Sequence, residues 1–181
     1  MTTFASLWQR ILAFALDYLV IGLYIGLITA VSFVIGSLSP DVMSALFSNP
    51  ASGQLTVFSA LTLPVMFYFA LTESSPWQAS LGKRILRLQV VRQSGDRLSV
   101  GQSILRSAVK LIPWELAHAC LWRIPGWPLN PAQPPPIIVA GLALVWIIAA
   151  AYFISLLMSK SRQTLYDRVA GAVVIVSART G

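Results

Sequence analysis

Residues 11–38, ILAFALDYLVIGLYIGLITAVSFVIGSL, decide the reading of this chain, because Asp17 is the only charge in the whole stretch. A bilayer core about 30 Å thick needs about 20 apolar helical residues to cross it. The run is therefore read as a membrane span over about 11–36. Ser37, Ser39 and Pro40 end it, and 37–54, with its serines, prolines and glycine, reads as an extracytoplasmic loop. Residues 55–72 are uncharged and form a second span, with Pro64 a kink whose freed carbonyl needs another partner. Residues 137–159 are an uncharged run of 23 and form the last span. Composition agrees: 56% of the 181 residues are hydrophobic and 10% charged, against about 25% charge in ordinary soluble domains. The N-terminus has no basic region leading into a short apolar core, so the first span is expected to be retained rather than cleaved.

The segment between the second and last spans changes character. Lys83, Arg84, Arg87, Arg92, Arg97, Arg106 and Lys110 are scattered among apolar residues, and such a density of charge cannot lie in lipid. Residues 84–92, RILRLQVVR, mix partial alternation with β-branched residues, and Ser94, Gly95 and Asp96 form a turn before the short run 97–100. A small β-hairpin over 80–100 is expected, followed by a helix. Residues 111–122 (LIPWELAHACLW) are apolar but short and carry Glu115 and His118. Counted over 104–124, the helix is long enough to cross once Arg106 and Lys110 extend their stems to the interface. Residues 125–136 are a proline-rich connector. The tail, 160–181, holds the strand-like 172–177 after Gly171, which suits a helix C-terminus; a lone tail strand needs a partner, and 84–92 is the available one.

Lysine and arginine concentrate on the cytoplasmic side of membrane proteins. Four crossings place twelve of the thirteen, all but Arg123, on one side with both termini; three crossings would split the basic loop from the basic tail. The expected architecture is one α-helical membrane domain over 1–181, multi-pass in a bacterial cytoplasmic membrane, with four crossing helices, the third short or re-entrant, and a small cytoplasmic hairpin plus C-terminal strand. The formal charge of +7 then points to anionic lipid headgroups, with Lys83, Arg84, Arg87, Arg106 and Lys110 as contacts. Nucleic acid is disfavoured, since the basic loop lies between spans and has little aromatic interleaving. Trp8 and Trp77 at the inner boundary, and Trp122 and Trp127 at the outer, fit interfacial belts.

Intramembrane charge marks the candidate sites. Arg10 and Asp17 are seven apart, so on a helix they share a face about 10 Å apart along the axis. Glu115 and His118 are three apart on one face of the third helix. Asp17, Glu115 and His118 could together take up a proton or an ion; equally, Arg10 with Asp17 could be a structural ion pair, and Glu115 with His118 a hydrogen-bonded joint between helices. No metal site is expected, because His118 is the only histidine and Cys120 the only cysteine. The run Ser80–Arg84 (SLGKR) lacks the upstream glycine of a phosphate loop. No nucleophile stands with a base and an orienting acid, so neither enzyme activity nor a cofactor is expected.

Arg10 with Asp17, SLGKR with Leu88–Val91 (LQVV), and Arg162–Val176 (RQTLYDRVAGAVVIV) together resemble the RDD family of bacterial membrane proteins, named for one arginine and two aspartates. The resemblance covers nearly the whole chain and maps the three residues to Arg10, Asp17 and Asp167, which are expected to form one charged cluster at the inner interface, acting as a structural clasp or as an ion-binding latch. Tyr166 stands where many relatives have histidine. Some family members are associated with ion transport. The resemblance implies the fold more than a function; because isolated intramembrane charges are costly to keep, the expected function is a small ion-coupled (sodium or proton) transporter, alone or as a homo-oligomer, and the alternative is a non-transporting scaffold or regulatory module that binds lipids or partner proteins through its basic face.

Overall fold

The structure is a computed structural model that describes residues 3–128 and 130–177; Arg179, counted above among the basic residues of the tail, lies outside them. Helix α1 runs Leu7–Leu38 and is followed by the short α2, Pro40–Leu46. Helix α3 is continuous over Pro50–Ser74 and contains a π-helical turn at Phe58–Thr62. It begins earlier than the apolar run because Asn49 is an N-cap: its side chain accepts from the Ala51 and Ser52 N–H groups, while the Ser52 hydroxyl accepts from Asn49 N–H and Pro50 fills the first turn. The remaining elements are α4 (Leu81–Ile85), β1 (Leu88–Arg92), α5 (Val100–Leu121), α6 (Pro136–Met158), α7 (Leu165–Val169) and β2 (Ala172–Val176).

Helices α1, α3 and α6 are long and apolar enough to cross a membrane. Helix α5 has the length, 22 residues, but carries Arg106, Lys110 and Glu115. Large apolar side chains such as Leu23, Phe33, Trp146 and Ile147 are open on α1 and α6, as expected of a helix whose solvent is hydrocarbon. The chain divides into two compact units.

The first unit comprises the described residues up to Ile21, Val65–Lys110, and those from Ala150 onward. Its sheet pairs β1 with β2 antiparallel, from Leu88 opposite Val176 to Arg92 opposite Ala172. Side chains alternate across a strand, so Leu88 and Val90 share a buried cluster with Ala172 and Val174, joined by Ala5, Ala13, Leu98 and Ala170. The expected hairpin is reduced: Arg97 makes a single bridge to Val91 and no second strand forms, while 81–85 is helical rather than extended. The other edge of β2 is taken by the N-terminal residues instead. Phe4 bridges Ile175, Ala5 N–H donates to Val174 O (3.0 Å), and Val176 N–H donates to Thr3 O (2.9 Å). Both edges of β2 are thereby satisfied.

The second unit comprises Gly22–Pro64 and Leu111–Ala149. Trp122, expected at an interface, is buried: its ring covers Gly53, where a Cβ would collide with it, and stacks on Phe47 at 5.5 Å. Trp127 likewise packs on the Cys120, Ile124 and Ile138 cluster.

Each proline inside a long helix leaves a carbonyl four residues back without its N–H donor. For Pro64 that carbonyl is Ala60, and the Tyr24 hydroxyl donates to it at 2.7 Å. For Pro113 it is Val109, and the Tyr152 hydroxyl donates to it at 2.6 Å.

Candidate functional site

In the first unit, the turn after α3 is fastened to α1 through Asp17. The residue is 1% exposed, and its carboxylate accepts from the Tyr68 hydroxyl (2.9 Å), the Ser80 hydroxyl (2.6 Å) and the Gly82 N–H (2.9 Å). Among the described residues no arginine is its partner: Arg10 turns to Asp167, and neutral donors take its place. Gly82 is required by this approach, because a Cβ there would overlap the Ala13 carbonyl oxygen and crowd Asp17. The run SLGKR is thus read out residue by residue. Ser80 donates to Asp17 and also accepts from Lys83 Nζ at 3.2 Å; Gly82 gives close approach; Lys83 pairs with Glu73 at 2.8 Å.

Glu73 and Asp167 are both fully buried, and Arg106 joins them. Its Nη1 pairs with Glu73, while its Nε and Nη2 pair with Asp167 at 2.9 and 2.7 Å. Arg10 Nη1 reaches the other Asp167 oxygen at 2.9 Å; Arg10 Nε and Nη2 are buried without a partner. Asp167 also caps its own helix, accepting from Thr164 N–H (3.1 Å) while Thr164 Oγ1 accepts from Asp167 N–H (3.3 Å). Burial pushes the Asp167 carboxyl up, but the guanidiniums of Arg106 and Arg10 outweigh it and hold the group below the usual carboxylate range. Burial, reinforced by Asp167, raises the neighbouring Tyr166 phenol.

A continuous path therefore links the three expected residues: Asp17 to Ser80, Lys83, Glu73, Arg106, Asp167 and Arg10. Three of the expected headgroup contacts lie elsewhere. Lys83 and Arg106 were expected at lipid headgroups, but both are buried in ion pairs, because the carboxylates of Glu73 and Asp167 could not be buried without them. Lys110 sets its ammonium 3.2 Å from the centre of the Phe69 ring and 5.7 Å from that of Phe14, a cation–π seat rather than a headgroup contact. Arg84 and Arg87 are exposed, Arg84 lying over the Trp77 ring at 4.1 Å. Glu73, Tyr68 and Ser80 were not foreseen. The signal for Arg106 was present, since Ser103 and Ser107, both fully buried, flank it on one face of α5.

In the second unit, Glu115 Oε2 accepts from the Thr62 hydroxyl at 2.9 Å and Oε1 from Gln54 Nε2 at 3.3 Å. Thr62 is the last residue of the π-helical turn. Gln54 Oε1 in turn accepts from Arg123 Nη1 at 2.8 Å. His118 Nδ1 lies 3.9 Å from Glu115 Oε2 and has no hydrogen-bond partner; the side chains are 19% and 26% exposed. The His118 ring packs edge-on against Trp114 at 5.0 Å. Asp17 belongs to the first unit, and its donors are those named above. Among the described residues no group of three histidine, cysteine or acidic side chains is placed to hold a metal ion.

Apolar helices of crossing length, with charge withdrawn into buried pairs, define the class: a helical membrane protein. The chain belongs to the RDD family, whose sequence model matches residues 4–171. It is similar to the uncharacterized protein YxaI of Bacillus subtilis (strain 168), 34% identical over 116 residues that cover 56% of this chain and 72% of the relative. No solved structure matches the chain significantly.

Proposed function

We propose that this chain is a small ion-coupled transporter of a bacterial cytoplasmic membrane, moving sodium ions or protons, with Glu115 and His118 as the groups that bind. Four helices cross, α5 being the third, and both termini and the basic segments face the cytoplasm. The basic residues support this topology, since four crossings keep all but Arg123 on one side. The observation that carries the proposal is the state of Glu115. It is an ionisable group in a largely apolar helix, held by a hydroxyl and an amide instead of a cation, beside an imidazole nitrogen with no partner. Such a carboxylate is costly to keep for structure alone.

The test is flux. Purified protein in liposomes should move sodium or protons above the rate of empty liposomes, and Glu115→Gln should abolish the movement. Wild-type rates equal to those of empty liposomes would rule transport out.

A second reading, a membrane module that docks lipids or partners without transport, draws on one feature. Exposed Arg84 and Arg87 stand beside exposed Trp77, Leu81 and Ile85, a mixture suited to anionic headgroups.

A further inference from the structure

Two stretches of the first unit repeat one another. Ser80–Ile85 (SLGKRI) and Thr164–Val169 (TLYDRV) share a hydroxyl residue, a leucine, an arginine and a β-branched residue at the same places. Each forms a five-residue helix, α4 or α7, then passes through a left-handed residue, Arg87 (φ 55) or Gly171 (φ 64), into a strand, β1 or β2. The same offset carries left-handed Gln78 onto left-handed Arg162, and the end of α3 at Ser74 onto the end of α6 at Met158.

Strand pairing obeys the same exchange. Leu88 faces Val176 and Arg92 faces Ala172, with Val90 and Val174 at the centre, so swapping the two strands leaves the register unchanged. The outer edges match too: Arg92 N–H donates to Asp96 O (2.8 Å), and Val176 N–H to Thr3 O (2.9 Å). Beyond each edge a Ser–Gln capping box starts a long helix, Ser6 with Gln9 before α1 and Ser99 with Gln102 before α5. A pseudo-twofold axis therefore passes between Val90 and Val174. It stands perpendicular to the sheet, because the buried side chains Leu88, Val90, Ala172 and Val174 lie on one face.

That axis relates two outward faces. On α4, Leu81, Arg84 and Ile85 are exposed while Gly82 and Lys83 are buried; on α7, Leu165, Arg168 and Val169 are exposed while Asp167 is buried. An acid of the family signature fixes each from beneath: Asp17 holds Ser80 and Gly82, and Asp167 is held by Arg10 and Arg106. Neither 75–87 nor 159–171 exposes an acid, and among the described residues Arg87, Arg162 and Arg168 make no side-chain hydrogen bond or ion pair.

We propose that the first unit carries two equivalent seats for anionic phospholipids, one on α4 with Arg84 and one on α7 with Arg168. These seats rest on the lipid-docking reading given above and hold whether or not the chain moves ions. Charge and position select the occupant. A phospholipid offers phosphate to the arginines and acyl chain to the exposed leucine, isoleucine and valine, whereas an acidic peptide would engage the arginines and leave the apolar side chains in water. Each arm follows a crossing-length apolar helix through a connector, 75–80 or 159–164, that spans at most about 20 Å. Neither arm can therefore stand far from the membrane surface. In the proposed topology α3 and α6 both run inward, so the axis lies along the membrane normal and keeps both arms at one depth.

The test is a count of bound lipids by native mass spectrometry on the full-length protein in detergent, with phosphatidylglycerol or phosphatidylcholine added. Wild type should retain two phosphatidylglycerol molecules at concentrations where phosphatidylcholine is not retained. Arg84→Ala and Arg168→Ala should each weaken one seat about fivefold and shift the dominant species from two lipids to one; the double variant should retain none. Arg97→Ala, exposed but outside both arms, should retain two. Two lipids in every variant, or an equal loss in Arg97→Ala, overturn the two seats while leaving lipid docking in place. Equal retention of phosphatidylglycerol and phosphatidylcholine overturns both. A hexaglutamate peptide that binds wild type and is lost with Arg84 and Arg168 would assign the faces to an acidic protein segment and overturn the lipid.

Discussion

The Arg106 cluster and the Glu115 site both place ionisable side chains in apolar surroundings, and they solve the problem in opposite ways. In the cluster each of the buried carboxylates Glu73 and Asp167 meets two cations, and Asp17 is closed off by three donors. Every carboxylate there has a cation or a set of donors, and the groups left over are two nitrogens of Arg10, Nε and Nη2. At Glu115 the partners are neutral and the neighbouring nitrogen is unoccupied. The contrast separates charge that holds a fold together from the charge on which the proposed function rests, although Asp17 and Glu115 carry the same mark in the sequence, an isolated acid in an apolar run.

Breaking the cluster should have the largest effect. Arg106→Met leaves Glu73 and Asp167 short of their shared cation, and removing one partner of a buried pair costs about 3–5 kcal/mol. Thermal unfolding in detergent should show a large loss of stability, or no folded protein at all. Glu115→Gln should leave that unfolding temperature nearly unchanged while abolishing flux. A variant that lost both together would erase the distinction between the two regions.

A smaller effect is expected at Tyr24. Tyr24→Phe removes one hydrogen bond and leaves the Ala60 carbonyl unserved, at about 1–3 kcal/mol. In a Pro64→Ala background the residue at 64 regains an N–H, so the same substitution should cost less. Equal costs in the two backgrounds would show that the hydroxyl does not replace the missing donor.

The acid limb of stability offers a finer test. Because the folded state holds Asp167 below its ordinary value, its contribution is fully present above about pH 4 and is lost as the pH falls through the folded-state value. Stability should fall below about pH 4, and Asp167→Asn, though less stable at neutral pH, should fall less steeply there. The smallest effect belongs to Arg84→Ala, which should leave stability unchanged and weaken only the response to anionic lipid in reconstituted vesicles.

Several of these features could be read from the chain itself. The apolar runs of α1, α3 and α6 are long and almost uncharged, so their physics is local, and the pairing of β1 with β2 followed from a β-rich tail strand that lacked a neighbour and a small hairpin that is marginal alone. The family signature located Arg10, Asp17 and Asp167. Asp17 was given an arginine because charge is visible in sequence, whereas the hydroxyls of Tyr68 and Ser80 and the N–H of Gly82 are not distinctive until the turn brings them together. Lys83 and Arg106 were placed at headgroups because basic residues near a span end usually reach outward; their inward course depends on Glu73, which nothing in the sequence singles out. The π-helical turn left no trace, since one residue of slippage alters neither hydropathy nor period enough to notice.

The tyrosines that serve Ala60 and Val109 also bear on assembly. Helix α3 inserted alone would carry an unserved carbonyl at Ala60 into hydrocarbon, where such a group costs several kcal/mol. Its donor arrives only when α1 is alongside, and Val109 likewise waits for Tyr152, which α6 brings later in the chain. Each of these carbonyls is therefore served only when its helix lies beside the neighbour that carries the hydroxyl, and a helix packed on another neighbour would keep an unserved oxygen.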